Sequence, residues 1–144
     1  MRILYGIAGI VLLFDQLAKF LAVWFLKPKT SIPILPHVFH LSLVENSGIA
    51  FGLFQDRPEF WTFIISASVL CLLAASVFFR DRPLPRRVAY GFILGGAIGN
   101  WIDRIRIGRV IDFFDFRVWP VFNVADSFIS IGVFLFIWFA LSEH

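Results

Sequence analysis

Charge is scarce in this chain: Asp, Glu, Lys and Arg together make up 16% of its 144 residues, against about 25% in an ordinary soluble domain. Cysteine occurs once, at Cys71, which excludes an intramolecular disulfide and any cysteine-based metal cluster; set in an apolar run, Cys71 is expected to be a small buried hydrophobe. No charge of one sign dominates. The formal net charge is +3, and the arginines are scattered over helix ends and loops without the aromatic interleaving of a nucleic-acid surface, so no nucleic-acid partner is expected. His37 and His40 fall on an expected strand, where an odd spacing points them to opposite faces, and no third ligand accompanies them, so no zinc or other metal site is expected. No glycine-rich phosphate loop follows a strand, and no serine sits in a nucleophile motif with a histidine partner; Ser127 and Ser130 are expected to bond helix carbonyls. No motif calls for a cofactor. What the chain does have is apolar bulk: 59% hydrophobic residues, 19 Phe and 5 Trp, with a mean hydropathy of +0.83. That composition suits helices facing lipid, with aromatic side chains as interfacial anchors.

Four segments approach the roughly 20 residues needed to span hydrocarbon: 3–26, 60–79, 88–105 and 124–141. Asp15 and Lys19 interrupt the first and no small-residue cleavage site follows it, so it is expected to stay as a helix and not to be removed as a signal peptide. In the third, Gly91, Gly95 and Gly99 recur every four residues on one face, which permits close helix packing and predicts a central position. Asp56 and Glu59 have capping-box spacing ahead of the second span, and the run RDRPLPRR at 80–87 ends it. The expected fold is therefore an all-α integral membrane protein, one domain over 1–144, with a small β-hairpin between helices 1 and 2.

Four spans put both termini on the side of the 80–87 turn, and the 27–59 and 106–120 loops together on the other. Charge alone orients this poorly. Arg2, Arg80, Arg82, Arg86 and Arg87 lie on the first side; Lys27, Lys29, Arg57, Arg104, Arg106, Arg109 and Arg117 lie on the second, which a simple count would place in the cytoplasm. In the first loop, HVFHLSLV has strand composition, NSG supplies a turn and IAFGLF is apolar again, which predicts a hairpin resting on the membrane surface.

Ionisable groups at membrane depth cost at least about 2.5–3.5 kcal/mol each and mark functional sites by default. Asp15 and Lys19 are four apart on one helical face, acid first, as for an ion pair that packs inward. Asn100, Asp103 and Arg104 also share a face; Arg104 either snorkels to the interface or holds a carbonyl or lipid phosphate, with Asp103 and Asn100 orienting it. Asn123 and Asp126 have the spacing of a helix N-cap with an acid at the third position, a local role that is compatible with catalysis. Asp112, in GRVIDFF, has no such local explanation, and Asp115 is its obvious rival.

Two carboxyls that meet in a partly desolvated place repel each other, so one stays protonated while the other ionises. That division suits an aspartic peptidase: the carboxylate takes a proton from water, which attacks the scissile carbonyl, while the acid hydrogen-bonds the carbonyl oxygen. The alternative is a proton- or ion-coupled carrier with Asp15, Lys19, Asp112 and Asp126 as a relay, although no inverted repeat is apparent. A non-catalytic lipid-binding subunit would need Arg104 but not both aspartates.

Four motifs in order, DQLAK at 15–19, ENSGIAFG at 45–52, GGAIGNWIDRIRIGRVIDF at 95–113 and FNVADSFISIGV at 122–133, make the chain resemble the bacterial lipoprotein signal peptidases (signal peptidase II) almost end to end. The resemblance implies a four-helix enzyme of the bacterial inner membrane, both termini cytoplasmic and the active site toward the periplasmic, outer-leaflet side, against the charge count. It implies removal of the signal peptide from diacylglyceryl-modified prolipoproteins, by a cut just before the lipidated lipobox cysteine. By motif position Asp112 and Asp126 match the catalytic dyad and Asp115 does not. Asn46, Gly48, Asn100, Arg104 and Asn123 match positions that line or support the site, and Asp15, Lys19 and Asp103 match further motif positions. Ala18 and Ile49 depart from the residues common there. Membrane lipids and globomycin-type cyclic peptide inhibitors are implied as ligands. Since four helices can enclose one site, a monomer is expected, with the 27–59 hairpin and the loop before Asp112 as a clamp over the peptide.

Overall fold

The computed structural model describes residues 1–27, 29–47 and 58–142. In chain order the elements are helix α1 (Arg2–Leu26), strands β1 (Ser31–Leu35) and β2 (Phe39–Asn46), helix α2 (Pro58–Ala75) running into a 3-10 turn (Ser76–Phe79), helix α3 (Leu84–Ile107), strand β3 (Val110–Asp115) and helix α4 (Val124–Leu141). The expected cap at Asp56 and the whole of the apolar segment IAFGLF lie outside the described residues, as does Gly48.

Helix α3 is the hub, and its glycines explain why. A Cβ at Gly95 would stand 2.6 Å from the Ala8 carbonyl oxygen of α1, and one at Gly96 2.6 Å from the Ala125 carbonyl oxygen of α4. Only hydrogen at these positions lets three backbones approach so closely. Pro85 in its first turn starts α3 without wasting an amide donor. Gly108, at φ 71°, ends it by donating its N–H to the Arg104 carbonyl at 2.9 Å.

Away from that hub the helices bury little. Ile10, Leu13, Phe20 and Trp24 of α1, Phe63 and Leu70 of α2, and Phe134 and Trp138 of α4 are all more than half exposed. Among the described residues three helices are long and apolar enough to cross a membrane, Arg2–Leu26, Glu59–Phe79 and Val124–Leu141. Their outward apolar faces need lipid as a solvent. Helix α3 is not among these three; it carries Arg86 and Arg87 in its opening turns and Asp103, Arg104 and Arg106 near its end. Cys71 corrects its expectation: it is exposed on α2.

The sheet also differs from expectation. Strand β2 is the HVFHLSLV segment, but its hairpin partner is the upstream SIPIL, and the turn between them contains His37 at φ 64°. His37 is thus in a turn and only His40 is in a strand. The expected loop at 106–120 supplies a third strand, so the order is β1-β2-β3, antiparallel throughout. The expected all-α architecture is therefore helical with a small three-stranded sheet. Pro33 is tolerated because, among the described residues, β1 is an edge strand with no ladder on its outer side.

Candidate functional site

Asp112 lies in β3 opposite Val44 of β2, and the diagonal neighbour Asn46 reaches it: Asn46 Nδ2 donates to Asp112 Oδ2 at 3.2 Å. After β3 the chain reverses through Arg117, at φ 65°, and comes back so that Phe122 pairs with Phe114. The Phe122 carbonyl accepts from the N–H groups of Phe113 (3.0 Å) and Phe114 (2.8 Å), and the Phe122 N–H donates to the Phe114 carbonyl at 3.1 Å. This return sets Asn123 beside Asp112 at the point where α4 begins.

Asn123 caps α4. Its Oδ1 accepts from the Asp126 N–H at 2.9 Å, and Asp126 Oδ2 accepts from the Asn123 N–H at 3.2 Å, a reciprocal capping box. A backbone N–H can only donate, so this bond fixes which end of the Asn123 amide is oxygen. Its Nδ2 is left to donate to Asp112 Oδ1 at 2.7 Å, to the Ile111 carbonyl at 3.2 Å and to Asn100 Oδ1 at 3.0 Å. The same logic orients Asn100. The Lys19 ammonium, a pure donor, gives a hydrogen bond to Asn100 Oδ1 at 2.9 Å, so Asn100 Nδ2 donates to Asp126 Oδ1 at 2.8 Å. Asp112 thus accepts from Asn46 and Asn123 and Asp126 from Asn100, and the amides of Asn123 and Asn100 are bonded to each other.

Beneath them is a buried ion cluster. Lys19, 2% exposed, lies 2.8 Å from Asp15 Oδ2 and 2.8 Å from Asp103 Oδ2. Both acids also accept backbone hydrogen bonds, Asp15 Oδ1 from Ala125 N–H at 2.8 Å and Asp103 Oδ2 from Ile111 N–H at 3.2 Å. Gln16, which pattern reasoning missed, donates to Asp103 Oδ1 at 3.1 Å and to the Gly99 carbonyl at 3.2 Å. Its signal was available, since it stands three residues before Lys19. Asp103 and Asn100, which the sequence grouped with Arg104, both engage Lys19, Asp103 Oδ2 at 2.8 Å and Asn100 Oδ1 at 2.9 Å. Arg104 is 5% exposed, so it does not snorkel, and its Nη1 donates to the Ser47 carbonyl at 3.3 Å. It also forms the inner wall of a groove of about 570 Å³ between the start of α2 and the end of α3, with Phe63 and Ile105 as apolar lining.

Asp115 is elsewhere. Three residues along a strand is an odd step, so it faces away from Asp112. It accepts from Ser42 Oγ at 2.8 Å, from the Arg117 N–H at 2.8 Å and from Arg117 Nη1 at 3.1 Å. Loss of water opposes its charge, yet these three donors and the Arg117 cation hold its carboxyl below the usual range. Asp112 is pushed the other way, to about 7, first by burial and then by the neighbouring charge of Asp126, against the donors Asn46 and Asn123 and the Lys19 cation. A carboxyl poised near neutrality beside a second carboxyl can share one proton with it and work as acid and base. Among the described residues no group of three His, Cys, Asp or Glu side chains is arranged to hold a metal ion.

The chain is similar to known proteins over nearly its whole length. Residues 7–142 match the family model for signal peptidase (SPase) II. A lipoprotein signal peptidase of Halothermothrix orenii is 43% identical over 134 residues, covering 92% of this chain and 91% of the relative. That of Moorella thermoacetica is 41% identical over 133 residues, covering 92% and 88%. Two solved structures of bacterial membrane enzymes superpose with TM-scores of 0.81 and 0.83 at 30% and 31% identity, covering 99% and 100% of this chain and 90% and 96% of theirs. With a family model matched from residue 7 to residue 142, this chain belongs to the signal peptidase II family.

Proposed function

We propose that this protein removes signal peptides from diacylglyceryl-modified prolipoproteins as an aspartic endopeptidase, cutting before the lipidated cysteine, with Asp112 and Asp126 as its catalytic residues. The observation that carries the reading is the paired amide bridge: Asn123 donates to Asp112, Asn100 donates to Asp126, and Asn123 donates to Asn100. Such a bridge holds two carboxyls in a fixed relation to each other. One proton is shared by the pair near neutral pH. The ionised member takes a proton from water as its oxygen bonds to the scissile carbonyl carbon; the protonated member donates to the carbonyl oxygen. Collapse of the tetrahedral intermediate breaks the C–N bond, and the leaving nitrogen takes a proton from the pair. Asn46, Asn100, Asn123 and Arg104 support or line the site, and Gly48 joins them by motif position.

In this reading α3 is a fourth span, its charged ends at the two interfaces and its glycine faces packed on α1 and α4. The whole chain is one membrane-embedded domain of the bacterial inner membrane, monomeric, with both termini cytoplasmic and the sheet at the outer leaflet. The substrate enters laterally, its acyl chains in lipid and its scissile bond at the interface, and the groove beside Arg104 is a suitable entry. Globomycin-type cyclic peptides occupy the same place. A carrier reading would want carboxyls strung across the membrane, whereas Asp103, Asp112 and Asp126 gather where α3 ends and α4 begins.

The test is cleavage of a purified diacylglyceryl prolipoprotein by the detergent-solubilised wild type and by Asp112→Asn, Asp126→Asn and Asp115→Asn, each checked for folding. Folded, inactive Asp112→Asn and Asp126→Asn beside an active Asp115→Asn support the dyad. Wild-type cleavage by either of the first two removes it.

A further inference from the structure

We infer that Asp15, Lys19 and Asp103 form a positioning unit that sets the backbone immediately ahead of both Asp112 and Asp126, so that one buried cation on α1 aligns the two carboxyls with each other. The inference rests on the dyad reading and goes beyond it by assigning a joint task to three residues that need not touch substrate.

The argument is one of connection. Asp15 accepts from the N–H of Ala125, the residue before Asp126, at 2.8 Å. Asp103 accepts from the N–H of Ile111, the residue before Asp112, at 3.2 Å. Lys19 lies 2.8 Å from each of these acids, and it also donates the 2.9 Å bond that orients Asn100 toward Asp126. An ammonium has three protons, and here Asp15, Asp103 and Asn100 accept one each. Residues 111 and 125 belong to different elements, β3 and α4, and Lys19 belongs to a third. A merely structural ion pair would be complete with Asp15 and Lys19 on one helix. The extension to Asp103, and from both acids to those two amides, is what a device for fixing the relative position of two carboxyls requires.

Charge transmission follows the same route. The Lys19 cation favours the ionised form of Asp112, so its removal displaces the titration of the pair to higher pH. Among the described residues the other charged groups around the pair are Asp15 on α1 and Asp103 and Arg104 on α3, and none is altered in a Lys19 variant.

The experiment uses the full-length protein in detergent and a diacylglyceryl prolipoprotein as substrate. It compares wild type with Lys19→Met, Asp15→Asn and Asp103→Asn for thermal unfolding, kcat, KM and the pH profile of kcat/KM. The asparagines keep an acceptor for Ala125 or Ile111 and remove the charge that engages Lys19. The expected result is folded protein, kcat lowered about 30-fold or more in Lys19→Met with KM within about threefold, and a profile moved to higher pH by about half a unit or more. The asparagine variants fall between it and wild type. Folded Lys19→Met with wild-type kcat and an unmoved profile overturns the inference. Should Lys19→Met not fold, the two asparagine variants decide: reduced kcat at unchanged KM supports positioning, and wild-type kcat overturns it. Loss of folding in all three also overturns it, in favour of a purely structural cluster. Asp112→Asn and Asp126→Asn run alongside. If these cut normally, the dyad reading has failed; if they are inactive while the triad variants are normal, only the present inference has.

Discussion

Asn123 donates from Nδ2 to Asp112 Oδ1 at 2.7 Å while its own Oδ1 accepts the Asp126 N–H at 2.9 Å, so one amide side chain both starts a helix and joins the two carboxyls. The two tasks use opposite ends of the amide and can be separated.

Asn123→Ala removes both. The lost cap costs about 0.5–2 kcal/mol of stability, and loss of the donor to Asp112 lowers kcat on the order of 100-fold. Asn123→Ser keeps an oxygen for the Asp126 N–H and lacks the Nδ2 donor, so it recovers unfolding temperature but not turnover. Recovery of turnover by serine would show that the bond to Asp112 has no catalytic role.

Stability should fall as pH rises. In the fold Asp112 stays protonated up to about 7, whereas its ordinary value is 3.8. Between these two the native state holds a proton that the unfolded state has released, and the slope is negative. The loss is complete above pH 7 and amounts to at most about 4 kcal/mol at 1.36 kcal/mol per unit. Asp112→Asn abolishes this ionisation, so it should unfold at a higher temperature than wild type at pH 8, with the gap closing toward pH 4. Parallel unfolding temperatures at both pH values would contradict the burial argument.

Asp115 has the opposite sign. Its carboxyl is held low by Ser42 and Arg117, so its contribution to stability is present above its ordinary pKa and is lost as pH falls through the lowered one. Asp115→Asn and Ser42→Ala should each cost about 1 kcal/mol and leave cleavage within about threefold of wild type. A large loss of turnover without unfolding would make Asp115 part of the site.

Glycines give a paired comparison. Gly96→Ala forces a methyl to 2.6 Å from the Ala125 carbonyl oxygen, next to Asp126, while a Cβ at Gly9 meets nothing within 4 Å. The first should cost about 1–3 kcal/mol and reduce turnover; the second should do neither. Thermal unfolding of the two variants with cleavage assays checks the contrast.

How far the fold could be read from the chain varied with the range of the interaction. The start of the fourth segment was readable because capping acts over three residues: Asn123 and Asp126 meet in one turn. The Asp15 and Lys19 pair was readable for the same reason, at a spacing of four. Strand β2 was readable, but its partner was not, because Pro33 and Pro36 weaken the strand signal of 31–35 and only the edge position makes Pro33 acceptable. Strand β3 was hidden by its own carboxylates, which break the apolar alternation in VIDFFD. Cys71 was misjudged because a hydrophobic run looks the same whether its face meets protein or lipid; on α2 it is exposed.

The sequence by itself determined the apolar helices, the capping box, the ion pair of α1 and the glycine faces of α3, since each is written in the periodicity of one element. Only the tertiary structure decided that Lys19 also reaches Asp103, that Asp115 turns toward Ser42 while Asp112 turns toward Asn123, and that Ala125 and Ile111 are held by acids from other helices. Those relations join residues up to 110 positions apart. No local pattern encodes them, because they exist only once α3 has packed close enough to α1 and α4 for buried polar groups to have no partner but one another.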